Sequence, residues 1–598
     1  MSNWKNWDGP LDETGAEWFV NRSFELEWLW TWASEVPKSF RSQALVGLRR
    51  TGKTAILHKI FNRLYHEQEK VTPIYVTFGD YIRQTEKKID AYAFATEFFE
   101  GYWRSYLSFK YRQPELHETK MDLDDLRLFI KDVSDELAVY WLERFDRKRD
   151  SQNQWSDGRS LAQTVIVMPN AIARQHNRPT VVMIDEFQAL TNVLDPDTGL
   201  YYDITNFFQR ASEARKAPLI VSGSSISMMV NEALVGALSG RFQSTHLEPL
   251  AEDYATDMMT RLADIYNVQL TESLALEIWE ATKGYPYSIE CILRDPRFSA
   301  PNVVSENWLE TFFVETLTSN TSQLREHYHE EFGKYVSHLN RFTRNILYWM
   351  IKNPEKDIFA DTIADELNIQ ETDVRQSLDQ LQKGDVIRLT PSFNYTGPDD
   401  PMLQRYIEYH HKREVEKLSP EAALDDLRKE INRVQGKANL RVGHLAEVIV
   451  GGVMDRLDSR KVDGKTYFGV EETIVLPKMK QIDRREGVIK KGEQNEIDVI
   501  GEYAILNNQG EGPKTGAWFV SVRYRNEKMG VGAVKEFIKN VTATQDEKQY
   551  EAVTRWYFSK QGFTHDAIKL LQLENIYYSD VKQFNELANL FGFLGLRF

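Results

Sequence analysis

A chain of 598 residues is longer than one hydrophobic core can organise, which points to several domains. With 42% hydrophobic and 27% charged residues, the composition is that of a globular protein and excludes long disorder. The single cysteine, Cys291, excludes an internal disulfide framework and a cysteine-rich zinc site, and the formal charge of -15 argues against a protein that coats nucleic acid.

No apolar run approaches the roughly 18 residues that cross a bilayer. The polar start MSNWKNWDGP does not read as a signal peptide. A cytoplasmic protein without a membrane partner is the expectation. The acidic excess lies upstream of Arg441, and the near-neutral remainder leaves DNA contact open there.

In chain order, SQALVGL, TPIYVTF, PTVVMID and APLIVSGS read as buried strands alternating with helical patterns, which predicts a parallel sheet with crossover helices. The first strand runs into Gly47-Leu48-Arg49-Arg50-Thr51-Gly52-Lys53-Thr54, which fits G-x-x-x-x-G-K-[ST] at every position. The glycines let the backbone curl so that its N–H groups and the next helix N-terminus point at phosphate. Lys53 would neutralise the β- and γ-phosphates, and the Thr54 hydroxyl would bind Mg²⁺, so ATP and Mg²⁺ are the expected ligands. Arg49 and Arg50 sit in the variable part of the loop and receive no catalytic role.

The strand VVMID ends in Asp185-Glu186. Asp185 is placed to complete the Mg²⁺ shell and Glu186 to polarise an attacking water, which favours hydrolysis over passive binding. Between Gln84 and Asn170 the chain reads as helical, with aromatic residues spaced as a core. After Leu250 the pattern is helical to about Gly333. Three helices and a strand follow, as in a winged helix-turn-helix, the third helix running from near Gln370 to near Gly384. That helix carries few cations, Arg375 and Lys383, beside Glu371, Asp373 and Asp379. A polar connecting helix precedes a second α/β domain from about Leu440.

FVNRSFELEWL, GLRRTGKTAIL, VVMIDEFQAL, IVSGSSISMM and GALSGRF together resemble the archaeal-type ATPase family, in the STAND group of AAA-related P-loop NTPases. The resemblance covers about the first 300 residues. It implies that the Arg22–Glu25 segment lies near the base, and that Ser224 is a sensor near the γ-phosphate. It implies further that Arg241 stabilises transition-state charge or reports nucleotide state to a helical lid, and that KGYPYSI, with Pro286, sets a lid helix N-terminus toward the nucleotide. In STAND-type ATPases the winged helix often packs as a regulatory arm, and its sparse charge here favours that role over direct DNA readout.

The last part of the chain resembles the PD-(D/E)XK nuclease fold: a helix with Glu447, a strand with Glu496 and Asp498, then GAWFVSVRYRNEK and a strand–helix–strand. That chemistry needs an acid on one strand and E-x-K on the next, to hold divalent ions and position water. Asp498 and Glu447 match the acids. The E-x-K element reads Ser521-Val522-Arg523, in which serine is a poor anionic ligand and arginine cannot act as a base. Either the fold is kept without cleavage, or a migrated acid such as Glu496 or Glu502 rebuilds the metal site; loss or attenuation is the favoured reading.

The expected architecture is thus α/β: a P-loop ATPase domain over 15–250, a helical lid over 251–335, a winged helix-turn-helix over 336–412, a connecting helix over 413–439, and a restriction-endonuclease-like α/β domain over 440–598. The expected function is an Mg²⁺–ATP-driven switch governing a DNA-contacting, degenerate nuclease-like module, with DNA processing or defence by family analogy. A nucleotide-dependent scaffold recruiting a protein partner and an active ATP-dependent nuclease are the alternatives. A homo-oligomer is compatible with the sequence but not specified by it.

Overall fold

The computed structural model describes residues 9–11, 19–20, 22–38, 41–48, 50–79, 89–118, 121–150, 158–191, 193–194, 199, 201–223, 238, 240–295, 312, 314, 316, 322, 324–326, 328–329, 341–354, 358–383, 386–390, 394–490, 493–505, 514–525, 527–593 and 595–596. Two units separate: residues 1–269 with 281–428, and residues 270–280 with 429–598.

The first unit is built on five strands, β1 (Ser42–Gly47), β2 (Thr72–Thr77), β3 (Thr180–Asp185), β4 (Leu219–Gly223) and β5 (Phe242–Leu247), in the order β2-β3-β4-β1-β5 with every pairing parallel. Four of these are the apolar runs expected from the sequence. The fifth, FQSTHL, lies at the edge and buries only its end residues, Phe242 and Leu247, while Gln243, Ser244 and His246 are exposed, so it lacks the apolar signature of an inner strand.

Strand periodicity decides how the sheet is covered. Ala44, Val46, Ile74, Val76, Val182, Ile184 and Val221 face one core, while Leu45, Tyr75, Val181, Met183 and Ile220 face the other. The second core is closed by α1 (Ser23–Ser34) and α2 (Lys53–Glu67). The first is closed by α3 (Ala91–Tyr111), α4 (Leu123–Val133), α5 (Glu136–Asp150) and α6 (Gly158–Gln175). The aromatic residues of this stretch are core: Phe98, Phe99, Tyr102 and Trp103 are buried within it.

Beyond the sheet this unit continues with α7 (Glu252–Tyr266) and α9 (Pro286–Leu293), whereas α8 (Glu272–Thr282), between them in the chain, belongs almost wholly to the second unit. A group of helices follows, α10 (Arg341–Lys352), α11 (Ala360–Leu367) and α12 (Glu371–Lys383), then a two-residue-per-strand hairpin, Arg388–Leu389 with Tyr395–Thr396, and α13 (Pro401–Glu414). Within this unit Arg405 donates to the Ala281 carbonyl at 2.9 Å, and Tyr328 donates to the buried Asp400 at 2.7 Å.

The expected boundary at Leu440 requires correction. A single helix, α14 (Pro420–Asp455), runs unbroken for 36 residues through that position. Its N-terminal half is polar and its C-terminal half apolar, so a change in pattern imitates a change of element while the backbone hydrogen bonding continues.

The second unit carries a mixed sheet in sequential order: β6 (Met479–Lys490), β7 (Glu493–Ile505), β8 (Lys514–Arg523), β9 (Ala552–Ser559) and β10 (Tyr577–Ser579). β6, β7 and β8 pair antiparallel, whereas β8, β9 and β10 pair parallel. The parallel pairs need crossover helices, supplied by α15 (Val531–Lys548) and α16 (His565–Leu573), and α17 (Val581–Leu590) closes the chain. Trp518, Val520 and Val522 share a core with Ala446 and Val450 of α14; Ala517 and Phe519 share one with Val534 and Phe537 of α15. Among the described residues, no helix is long and apolar enough to cross a membrane.

Candidate nucleotide site

β1 ends at Gly47 and α2 begins at Lys53, leaving a tight loop between strand and helix. Gly47 is required by proximity, because an added Cβ would lie 2.8 Å from the Leu247 carbonyl of β5. Gly52 is required by its backbone, with φ of 98° and open space around it. Within the loop Thr51, buried, donates to the Leu48 carbonyl at 2.9 Å. The buried Lys53 ammonium donates to the carbonyls of Gly47 (2.9 Å) and Leu48 (2.6 Å), so it lies directly beneath the loop.

β3, separated from β1 by β4 in the sheet, brings the acids. Thr54 Oγ1 donates to Asp185 Oδ2 at 2.8 Å, joining the first turn of α2 to the end of β3. Asp185, 3% exposed, also accepts from Tyr75 on β2 at 3.1 Å, from Ser222 on β4, and from the Glu186 backbone N–H at 3.1 Å. Burial, then the charge of Asp185, pushes the Tyr75 hydroxyl well above its ordinary pKa, so it remains a donor. Glu186 has φ of 57°, a left-handed conformation that costs a non-glycine residue about 1–2 kcal/mol. Its carboxylate accepts from Gln188 Nε2. Backbone strain at an acid beside a phosphate loop is the kind held at functional positions.

Arg22, also left-handed and 6% exposed, donates to the carbonyls of Thr51 (3.2 Å) and Glu248 (2.6 Å) and pairs with Glu25 at 3.4 Å. Burial lowers its pKa and Glu25 opposes the shift. It therefore braces the loop from behind. Pro286 is the first residue of α9, and the next residue, Tyr287, carries the Arg50 guanidinium 3.5 Å above its ring centroid. Burial, then Cys291, pushes the Tyr287 hydroxyl up to about 12.

Arg241 calls for a correction. It precedes β5, where Phe242 is in register with Ser42, whereas the phosphate loop follows Gly47, in register with Leu247. A strand's length, about 17 Å at roughly 3.3 Å per residue, therefore separates it from that loop. There Arg241 pairs with Glu213 at 2.8 Å. The expected role at the phosphates of its own chain does not fit this register. Ser224 and Arg49 lie outside the described residues.

Tyr75, Ser222, Gln188 and Tyr287 were not marked as site residues by the sequence. A signal existed for two of them: a hydroxyl inside a buried strand must find a partner, and both strands end beside Asp185.

In the second unit Asp498 Oδ2 accepts from Ser521 Oγ (3.0 Å), the Val522 N–H (2.7 Å) and Arg523 Nη1 (2.7 Å). Glu447 is buried on α14, and Glu496 lies on β7, its carbonyl accepting from Asn540 at 3.1 Å. Among the described residues no three His, Cys, Asp or Glu side chains are grouped to hold a metal ion, so Glu447, Glu496 and Asp498 do not form such a group. Glu502 is instead hydrogen-bonded by Tyr550.

A strand, phosphate-type loop and helix, with an acid ending a strand two places away in the same parallel sheet, define a P-loop nucleotide-binding domain. Residues 19–292 match a family described as an ATPase domain predominantly from Archaea, which supports a P-loop ATPase domain of that type over somewhat less than half of the chain. No curated protein matches the chain. Among solved structures, a Walker-type ATPase of Pyrococcus abyssi is similar at 17% identity, covering 68% of this chain and 99% of that one with a TM-score of 0.43. The ORC2 protein of Aeropyrum pernix, in ADPNP–ADP complexes, is similar at 10% identity over 72% of this chain and 96% of that one, TM-score 0.33. The RuvB branch-migration motor of Thermotoga maritima is similar at 11% identity over 64% and 93%, TM-score 0.27.

Proposed function

We propose that this chain is an Mg²⁺–ATP-dependent switch whose C-terminal unit is a nuclease-like module that contacts DNA without cutting it. The observation that carries the first half is the 2.8 Å bond from Thr54 to Asp185, with the strained Glu186 next in sequence. Their oxygen donors suit a hard divalent ion. Held by Thr54 and Asp185, Mg²⁺ would supply charge neutralisation at the phosphates. Lys53 binds the same phosphates from below, the α2 N-terminus faces them, and Glu186 orients and polarises the attacking water.

Residues 336–412 are proposed as a winged helix-turn-helix acting as a regulatory arm. Arg375 on α12 is already paired with Glu371 one turn earlier, so it adds little charge for reading DNA. The C-terminal unit is proposed as a PD-(D/E)XK-like domain. Its order of α14, an antiparallel meander and then parallel crossovers supports that reading, as does the place of Asp498 on the strand preceding Ser521-Val522-Arg523. There the acid faces three donors where a cleaving site would need further acids.

Steady-state ATPase assays with and without duplex DNA, at fixed salt and Mg²⁺, test the reading. Turnover stimulated by DNA is expected, with Lys53→Ala losing binding and Glu186→Gln losing about 10²–10⁴-fold in rate while keeping affinity. A wild-type chain without turnover would favour a scaffold. Metal-dependent nicking of supercoiled plasmid that disappears in Asp498→Ala would overturn the non-cleaving half.

A further inference from the structure

Arg50 belongs to the phosphate loop yet makes its contact on the lid. Its backbone is left-handed, with φ of 61°, and its side chain is exposed apart from the ring beneath it. The guanidinium lies 3.5 Å above the Tyr287 centroid, in the first turn of α9. Tyr287 is partly buried, and Glu290 and Cys291 lie on the following turn of the same short helix. Between loop and lid, then, stands a cation–π contact whose cation is three residues before Lys53.

A guanidinium prefers bidentate contact with a phosphate over an aromatic face, because the anion offers full charge and matched acceptors. A ligand can move such a side chain only if it binds one arrangement better than the other. ATP presents a terminal phosphate that ADP lacks, so the two nucleotides differ at the position a variable-loop cation can reach.

We propose that Arg50 distinguishes ATP from ADP by exchanging its guanidinium between the Tyr287 ring and the γ-phosphate, and that loss of the ring contact tells α9 which nucleotide is bound. This rests on the ATPase reading of the site. Arg50 is a specificity-determining residue here, and Tyr287 competes with the nucleotide for it.

The test is the ratio of ADP to ATP dissociation constants for the full chain with Mg²⁺, measured with fluorescent nucleotides on Glu186→Gln protein so that ATP survives. Arg50→Ala should lower the preference for ATP by roughly tenfold, within the range of couplings between linked sites. Tyr287→Ala should raise it, and the Arg50→Ala, Tyr287→Ala double variant should match Arg50→Ala alone. An unchanged ratio in Arg50→Ala, or additive effects in the double variant, would overturn the exchange while leaving the ATPase reading intact. Failure of the parent to bind either nucleotide would remove both.

Discussion

The Tyr75 hydroxyl reaches Asp185 Oδ2 across 3.1 Å from the strand next to it, so the acid at the end of β3 is held by both flanking strands, β2 and β4. Asp185 is therefore part of the fold as well as the site. Asp185→Ala should lower stability by about 2–4 kcal/mol, because it strands the buried donors of Tyr75 and Ser222, and Asp185→Asn by less, because one acceptor oxygen remains. The midpoint of urea unfolding reads this directly; equal midpoints for the two variants would show that the donors find other partners.

The same contact sets an alkaline limit. Tyr75 is raised well above the ordinary tyrosine value of 10.0 by burial first and then by Asp185. Below pH 10 both folded and unfolded chains hold the proton, and the contribution is fully present. Above it, the unfolded chain ionises while buried Tyr75 does not, so stability falls as pH rises toward the folded value. Tyr75→Phe should flatten part of that decline in unfolding midpoints taken from pH 9 to 11.

At the acid end the group is His117. Burial, then Arg104 and His58, lower it from 6.5 to about 3. A base with a depressed pKa contributes stability that is present above pH 6.5 and lost as pH falls toward 3. The slope is about 1.4 kcal/mol per pH unit for one proton. His117→Leu, which keeps an apolar contact against Phe61, should remove that slope from the pH dependence of urea midpoints.

Ser521 and Arg523 can be exchanged for the residues a cleaving site uses. Ser521→Glu with Arg523→Lys places a second carboxylate beside Asp498, where Ser521 now stands 3.0 Å away. Calorimetry should detect Mn²⁺ binding in the double variant that is absent in Asp498→Ala of the same background. No heat of binding would mean that the strand ends diverge too far to share an ion.

Legibility followed the strength of local pattern. Inner strands such as TVVMID are apolar throughout and were readable, and the loop from Gly47 to Thr54 carries its own signature. β5 and β6 were not: FQSTHL exposes its middle residues, and MKQIDRREGVIK is charged along its length, so both depend on the sheets that recruit them. The site shows the same division. Lys53, Thr54, Asp185 and Glu186 are fixed by local spacing, whereas Tyr75, Ser222 and Tyr287 acquire meaning only when separate strands and helices converge. Arg241 shows the opposite hazard, since likeness of a short motif could not say which end of the sheet it occupies.

Glu186 is the wrong residue for its own backbone. At φ of 57° glycine would sit without strain, so for folding alone glycine would be the better choice and only the carboxylate speaks against it. Glu186→Gly should therefore fold at least as well as the parent in unfolding experiments while losing hydrolysis. With the proposed role of Glu186, the less comfortable residue at this corner trades thermal margin for one oriented oxygen, so a search for hardier variants is expected to find inactive ones first.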